Sequence, residues 1–162
     1  MDSQTHRQAG VLKYLASMAY LTWLAGAVQD AITQKRIGTP VALRGFFLLS
    51  PDHGLLLPTL AEALTTAAQW FGSPLTRIYA LGGVRAGEIT ALAEFSAGQT
   101  ALLTAATLRD VIPLADLLVI GNHGTLRHQD HPESFQPGRA DPHLALALER
   151  SLAAGAPVAM ER

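Results

Sequence analysis

The chain has 162 residues, 49% of them hydrophobic, which suffices for one domain with a core and is too short for two comfortable ones. A formal net charge of −1 and a sequence pI near 6.6 offer no basic surface of the kind nucleic acid requires, so no nucleic-acid partner is expected. Cysteine is absent, which excludes disulfides, thiolate metal sites and a cysteine nucleophile, and fits a cytoplasmic protein.

Tyr14 to Val28 is an apolar run, preceded by His6, Arg7 and Lys13 and ending in Ala25-Gly26-Ala27, a triplet of signal-peptidase type. Asp2 in the would-be basic region argues against export, and the run is short for a membrane span. The same residues carry helical spacing, with Leu12, Leu15, Ala16, Ala19, Tyr20, Trp23, Leu24, Ala27, Val28, Ala31 and Ile32 on one stripe. The pattern predicts one continuous helix from about Thr5 to Arg36, so that residues 1–37 form an N-terminal helix and 38–162 the body. Lys35 and Arg36 suit the negative end of the helix dipole, Gly38 is expected to supply a left-handed cap, and Pro40 blocks continuation.

Val41 to Leu49 is rich in strand formers, and Ser50-Pro51-Asp52-His53-Gly54 has turn chemistry. A helix follows: Leu60, Leu64, Ala67, Ala68 and Phe71 share one face, Gly72 stops it and Pro74 prevents its resumption. Arg77–Leu81, Glu88–Phe95, Thr100–Leu108, Leu117–Ile120 and Thr125–His128 then read as strands. Gly82-Gly83, Ser96-Ala97-Gly98-Gln99, Ile112-Pro113 and Asn122-His123-Gly124 separate them, a spacing that indicates an antiparallel meander. Residues 129–142 are polar and proline-rich and read as a loop. Asp141 as N-cap and Pro142 at the first helical position open a last helix, His143 to Ala154, which Gly155 ends before a short edge strand at Pro157–Met160.

The expected fold class is α+β, a single domain over 1–162 built as an open, mostly antiparallel sheet with helices on one face. The apolar content expected on the second face, including Ala91, Ala93, Phe95, Leu103 and Leu118, suggests that this face is covered by a second copy of the chain, a homodimer.

Five phrases in order, AVQDAITQKRIGTPVALRG, WFGSPLTRIYALGG, AEFSAGQTALLTAA, DLLVIGNHGTLRH and LALERSLAAGAPVAM, resemble the C-terminal domain of the glucose-fructose oxidoreductase / inositol dehydrogenase (Gfo/Idh/MocA) family. The match runs from about Ala9 to Met160. In the helix-ending Gly-x-Ile-Gly phrase Lys35 replaces the first glycine, while Ile37 and Gly38 keep the rest. Tyr20 and Trp23 stand where members commonly show Arg and Pro.

The resemblance implies a two-domain enzyme whose dinucleotide-binding domain precedes this one. No Gly-x-Gly-x-x-Gly turn and no Glu-Lys-Pro motif occurs in the sequence, so no cofactor is expected. The chain is expected to begin inside the last helix of that domain, with Val11–Ala19, a strand in the family, re-used as helix. The family's catalytic Asp-x-Gly-x-His-x-x-Asp stretch aligns with Pro58, Leu60, Glu62 and Thr65, all changed.

Arg44, His53, Glu62 and Thr65 are the candidate ligand-binding residues, expected to converge at the old substrate position, and Glu62 is the sole candidate for catalysis. His123, His128 and His131, with Asp130 and His143 nearby, have metal-binding chemistry but match no standard spacing, so no metal is expected. Ser50 and Ser73 lack a supporting base and a Gly-x-Ser-x-Gly turn. The expectation is therefore a catalytically degenerate oxidoreductase-like domain that binds a small-molecule ligand or a protein partner. One alternative restores oxidoreductase activity in trans through a separate NAD(P)-binding Rossmann-domain protein. The other is a cofactor-free isomerase or lyase that uses Glu62 in a closed pocket.

Overall fold

The computed structural model describes residues 20–132 and 140–161, the side chains of residues 20–23 and 53 excepted. Helix α1 (Tyr20–Thr33) leads to strand β1 (Pro40–Leu49), and a 3₁₀ turn (His53–Leu55) opens helix α2 (Leu56–Phe71). Strands β2 (Leu75–Gly83), β3 (Glu88–Phe95), β4 (Thr100–Thr107), β5 (Leu114–Gly121) and β6 (Gly124–Asp130) follow. Helix α3 (Pro142–Ala154) and a short β7 (Val158–Ala159) complete the chain. The part of the expected N-terminal helix between 5 and 19 lies outside the described residues.

One seven-stranded sheet has the order β6-β5-β1-β4-β3-β2-β7, antiparallel except where β1 pairs with β4 in parallel. The strands after α2 form the expected hairpins, but β1 inserts between β4 and β5 and so interrupts the meander. Alternation within a strand reports which face is buried and says nothing of which strand lies alongside.

Helix α2 is the centre of the helical layer. Leu56, Leu60 and Leu64 are fully buried, with Ala67 and Phe71 continuing the stripe, and burying each leucine contributes about 1.5–3 kcal/mol. Gly72 ends the helix in the left-handed region at φ 59°, as its sequence predicts. Trp70 Nε1 donates to the Ala25 carbonyl at 3.2 Å, which ties α1 to α2. In α3 the Asp141 side chain accepts from His143 N at 2.9 Å and Pro142 occupies the first turn, the expected cap. Ser151, fully buried, accepts from Ala80 N at 2.9 Å and donates to Ala156 O at 2.7 Å, fixing α3 to β2.

The end of α1 departs from expectation. Lys35, at φ 57°, is the left-handed residue that closes the helix. Its N–H donates to Ile32 O at 2.9 Å and that of Arg36 to Ala31 O at 3.1 Å, the paired bonds of a Schellman turn. Gly38, expected to be the cap, takes a second positive φ of 71° three residues later. It does so in a joint with the β5–β6 turn: Thr39 N donates to Asn122 Oδ1 at 2.8 Å, Asn122 N to Thr39 O at 3.0 Å and His123 N to Ile37 O at 3.1 Å. A side chain on Gly38 would strike Asn122 Oδ1, and one on Gly121 would strike the Ile37 carbonyl. Ile37-Gly38 and Ile120-Gly121, distant phrases in the sequence, are two halves of one contact.

The two faces of the sheet differ. Leu43, Phe47, Ala91, Ala93, Phe95, Leu103 and Leu117 all lie under the helices. Ala91, Ala93, Phe95 and Leu103 are thus core residues, and of the set expected on the second face only Leu118 lies there. The open face instead carries Phe46, Leu81, Leu92 and Leu102, which are 38–52% exposed. Neighbouring residues on an alanine-rich strand are apolar on both faces, so composition alone cannot fix the parity.

Candidate functional site

The four positions aligned with the family's catalytic stretch sit within the first ten residues of α2. Pro58 is half-buried and carries no proton to exchange. Leu60 has no exposed surface at all and belongs to the core. Thr65 donates its hydroxyl to Ala61 O at 2.8 Å, back along its own helix. Glu62 is 4% exposed, and with Thr59 and Thr66 it makes a buried polar stripe at i, i+3 and i+7 spacing. The Thr59 hydroxyl has no hydrogen-bond partner among the described residues.

Arg44, Glu62 and Thr65 do not converge. Arg44 pairs in register with Leu118 and Leu102 on the open face, with the whole sheet between it and α2. Thr65 opens onto a separate groove of about 530 Å³ between the end of α2 and the start of α3, lined also by Gln69, Ser73, Asp141 and Met160. His53 lies in the turn before α2, and its side chain is outside the described residues. Arg44 does not meet Glu62 at the expected position, because the pleat sends alternate side chains to opposite faces, and Leu43 and Gly45 take the helical side.

Arg44 belongs to a different constellation. A hollow of about 390 Å³ on the open face is lined by Arg44, Phe46, Leu102, Asp116, Leu118 and Arg127, among others. Arg127 grips Asp116 through two bonds, Nε to Oδ1 at 3.1 Å and the terminal nitrogen to Oδ2 at 2.8 Å. This hydrogen bonding, aided by the charge of Arg44, holds the Asp116 carboxyl below its ordinary value. Nothing in the sequence reading singled out Asp116 or Arg127. The signal available was the Asn122-His123 turn, which fixes the β5–β6 register and places the two residues diagonally across neighbouring strands.

The histidines are dispersed. His123 sits in the turn against Gly38, His128 faces Leu117 in register within β6, and His131 lies beyond that strand with Nδ1 at 3.1 Å from Pro113 O. Seven residues of extended strand separate His123 from His131, a span of roughly 20 Å. Among the described residues no three His, Asp or Glu side chains gather as metal ligands, and no helix is long and apolar enough to cross a membrane.

No family model and no curated protein matches this sequence. Solved structures do match it. A scyllo-inositol dehydrogenase from Lactobacillus casei with bound NAD(H) and scyllo-inositol superposes with a TM-score of 0.63 at 14% identity, covering 83% of this chain and 61% of that one. A putative myo-inositol dehydrogenase from Sinorhizobium meliloti 1021 gives 0.65 at 13% identity, with 85% and 62% covered. A myo-inositol dehydrogenase from Corynebacterium glutamicum gives 0.66 at 12% identity, with 85% and 61% covered. The chain therefore carries the fold that these inositol dehydrogenases share over about 61% of their length, in keeping with the resemblance of its sequence to a C-terminal oxidoreductase domain.

Proposed function

We propose that this chain is an oxidoreductase-like scaffold that no longer transfers hydride and serves in the cytoplasm as a ligand- or partner-binding module, assembled as a homodimer through its open sheet face. The observation that carries the proposal is the state of the first ten residues of α2. Proline, a fully buried leucine, a buried glutamate and a self-bonded threonine stand where the family pattern asks for two aspartates, a glycine and a histidine. A histidine exchanges protons near neutral pH because its unperturbed pKa is about 6.5, whereas proline, leucine and threonine have no such proton to offer. The dimer is supported by the exposure of Phe46, Leu81, Leu92 and Leu102 on one face of the sheet.

Native mass spectrometry of the purified protein tests this reading. The expected spectrum is a dimer that retains a small molecule or a second protein. A monomer that retains bound nicotinamide cofactor would overturn it, and a co-purified Rossmann-domain protein would favour an oxidoreductase assembled in trans.

A second reading rests on Glu62 alone. A carboxyl withdrawn from water beside the unpartnered Thr59 hydroxyl suits cofactor-free proton transfer, as in an isomerase or lyase. Loss of a detected isomerase or lyase activity in Glu62→Gln, with folding intact, would support it, and unchanged activity would remove it.

A further inference from the structure

The hollow beside Arg44 is built from two rows of side chains that run across the sheet. Arg127, Leu118, Arg44 and Leu102 stand side by side on β6, β5, β1 and β4, and Asp116, Phe46 and Thr104 make the next row. All of them line one space of about 390 Å³, within the range of roughly 300–1,000 Å³ typical of small-molecule sites.

The charges in it do not cancel. Two guanidiniums and one carboxylate line the hollow, which leaves one net positive charge. Arg127 holds both oxygens of Asp116, at 3.1 and 2.8 Å, whereas Arg44 has no hydrogen bond or ion pair among the described residues. The Arg44 charge nevertheless reaches Asp116, whose carboxyl it helps to depress. Around these charges the walls are apolar. Leu118 separates the two arginines, two strand spacings or roughly 10 Å apart, and Leu102 and Phe46 flank Arg44 on its other sides. The Thr104 hydroxyl is already bonded to that of Thr90 at 2.8 Å.

We propose that this hollow binds a small organic monocarboxylate, its carboxylate on the Arg44 guanidinium and its hydrocarbon body over Phe46, Leu102 and Leu118. The proposal deepens the ligand-binding reading above by giving the ligand a place and a chemical class. A guanidinium fork meets a carboxylate through two parallel hydrogen bonds, and one uncompensated cation matches one negative charge. A dianion such as phosphate exceeds that charge and leaves the apolar walls uncovered. A polyol would bury hydroxyls for which the leucines and Phe46 offer no partners. The apolar residues of the proposed dimer contact leave the charged wall clear, since Leu81 and Leu92 belong to β2 and β3 while Asp116 and Arg127 stand on β5 and β6.

The test is isothermal titration calorimetry of the purified full chain with sodium acetate, butyrate and hexanoate. One hexanoate per chain is expected, with affinity rising about two- to fourfold for each added methylene. Hexan-1-ol, which keeps the hydrocarbon and lacks the charge, is expected to bind at least tenfold more weakly. Arg44→Gln removes the charge with little change of volume and is expected to weaken hexanoate at least tenfold, and Arg44→Lys, a cation without the fork, to fall between. Arg77→Gln, on the same face but paired with Glu94, is expected to leave binding unchanged. Hexanol binding as tightly as hexanoate, hexanoate binding that survives Arg44→Gln, or phosphate binding more tightly than hexanoate would overturn the proposal. A co-purifying small molecule that Arg44→Gln retains in full would overturn this site and leave the ligand-binding reading standing. No retained small molecule together with no carboxylate binding would remove both.

Discussion

Replacing Lys35 by glycine is expected to stabilise the protein, although it deletes a side chain. Lys35 sits at φ 57°, where a Cβ approaches the following carbonyl, and the left-handed conformation costs a non-glycine residue about 1–2 kcal/mol. Glycine removes that cost, but the freer unfolded chain returns about 0.5–1 kcal/mol. The loss of a cation at the carbonyl end of α1 returns about 0.3 kcal/mol more at an exposed site. The net expectation is a gain of roughly 0.5 kcal/mol, built from these terms. Lys35→Val places a β-branched residue in the same conformation and is expected to lose about 1 kcal/mol or more. Urea denaturation reads both variants as shifts of the midpoint in opposite directions with an unchanged m-value. If Lys35→Gly destabilises while Lys35→Val is neutral, the Schellman geometry assigned to this turn is wrong.

Three other substitutions probe the packing and electrostatics. Gly38→Ala must combine a positive φ with a clash against Asn122 Oδ1, so a loss of about 2–4 kcal/mol is expected in the same denaturation assay. Ser151→Ala leaves the buried Ala80 N–H without its acceptor and is expected to cost about 1–3 kcal/mol, measured by thermal or urea unfolding. Asp116→Asn removes a partly exposed ion pair and is expected to cost less than about 1 kcal/mol at neutral pH. The folded protein holds the Asp116 carboxyl below its ordinary value. Its contribution is therefore present above the unfolded pKa of about 3.9 and lost as the pH falls through the lower folded value. Wild type and Asp116→Asn should converge in stability in that acid range, and a gap that persists there would count against the pairing.

What the sequence disclosed was mostly local. The caps of α2 and α3 were legible because Gly72, Asp141, Pro142 and Gly155 act on the backbone next to them, whatever the rest of the chain does. The position of β1 between β4 and β5 was not, since strand order depends on contacts between residues far apart in sequence. Lys35 was read as a dipole partner within the helix, because lysine carries no sign that it will adopt a left-handed backbone. The candidate site divided along the same line. Glu62 and Thr65 share α2 through helical periodicity, whereas the expected meeting of Arg44 with Glu62 depended on sheet parity, and Arg44 faces away. Asp116 and Arg127 emerge only once the β5–β6 register is fixed.

The proposed loss of hydride transfer is tested most directly by following reduced nicotinamide absorbance while the purified protein is offered NAD⁺ or NADP⁺ with a panel of inositols, polyols and sugars. With Leu60 in the core and no histidine at position 62, no formation of reduced cofactor above background is expected. Steady turnover of any of these compounds, abolished by Glu62→Gln, would contradict that expectation and return the chain to the working oxidoreductases.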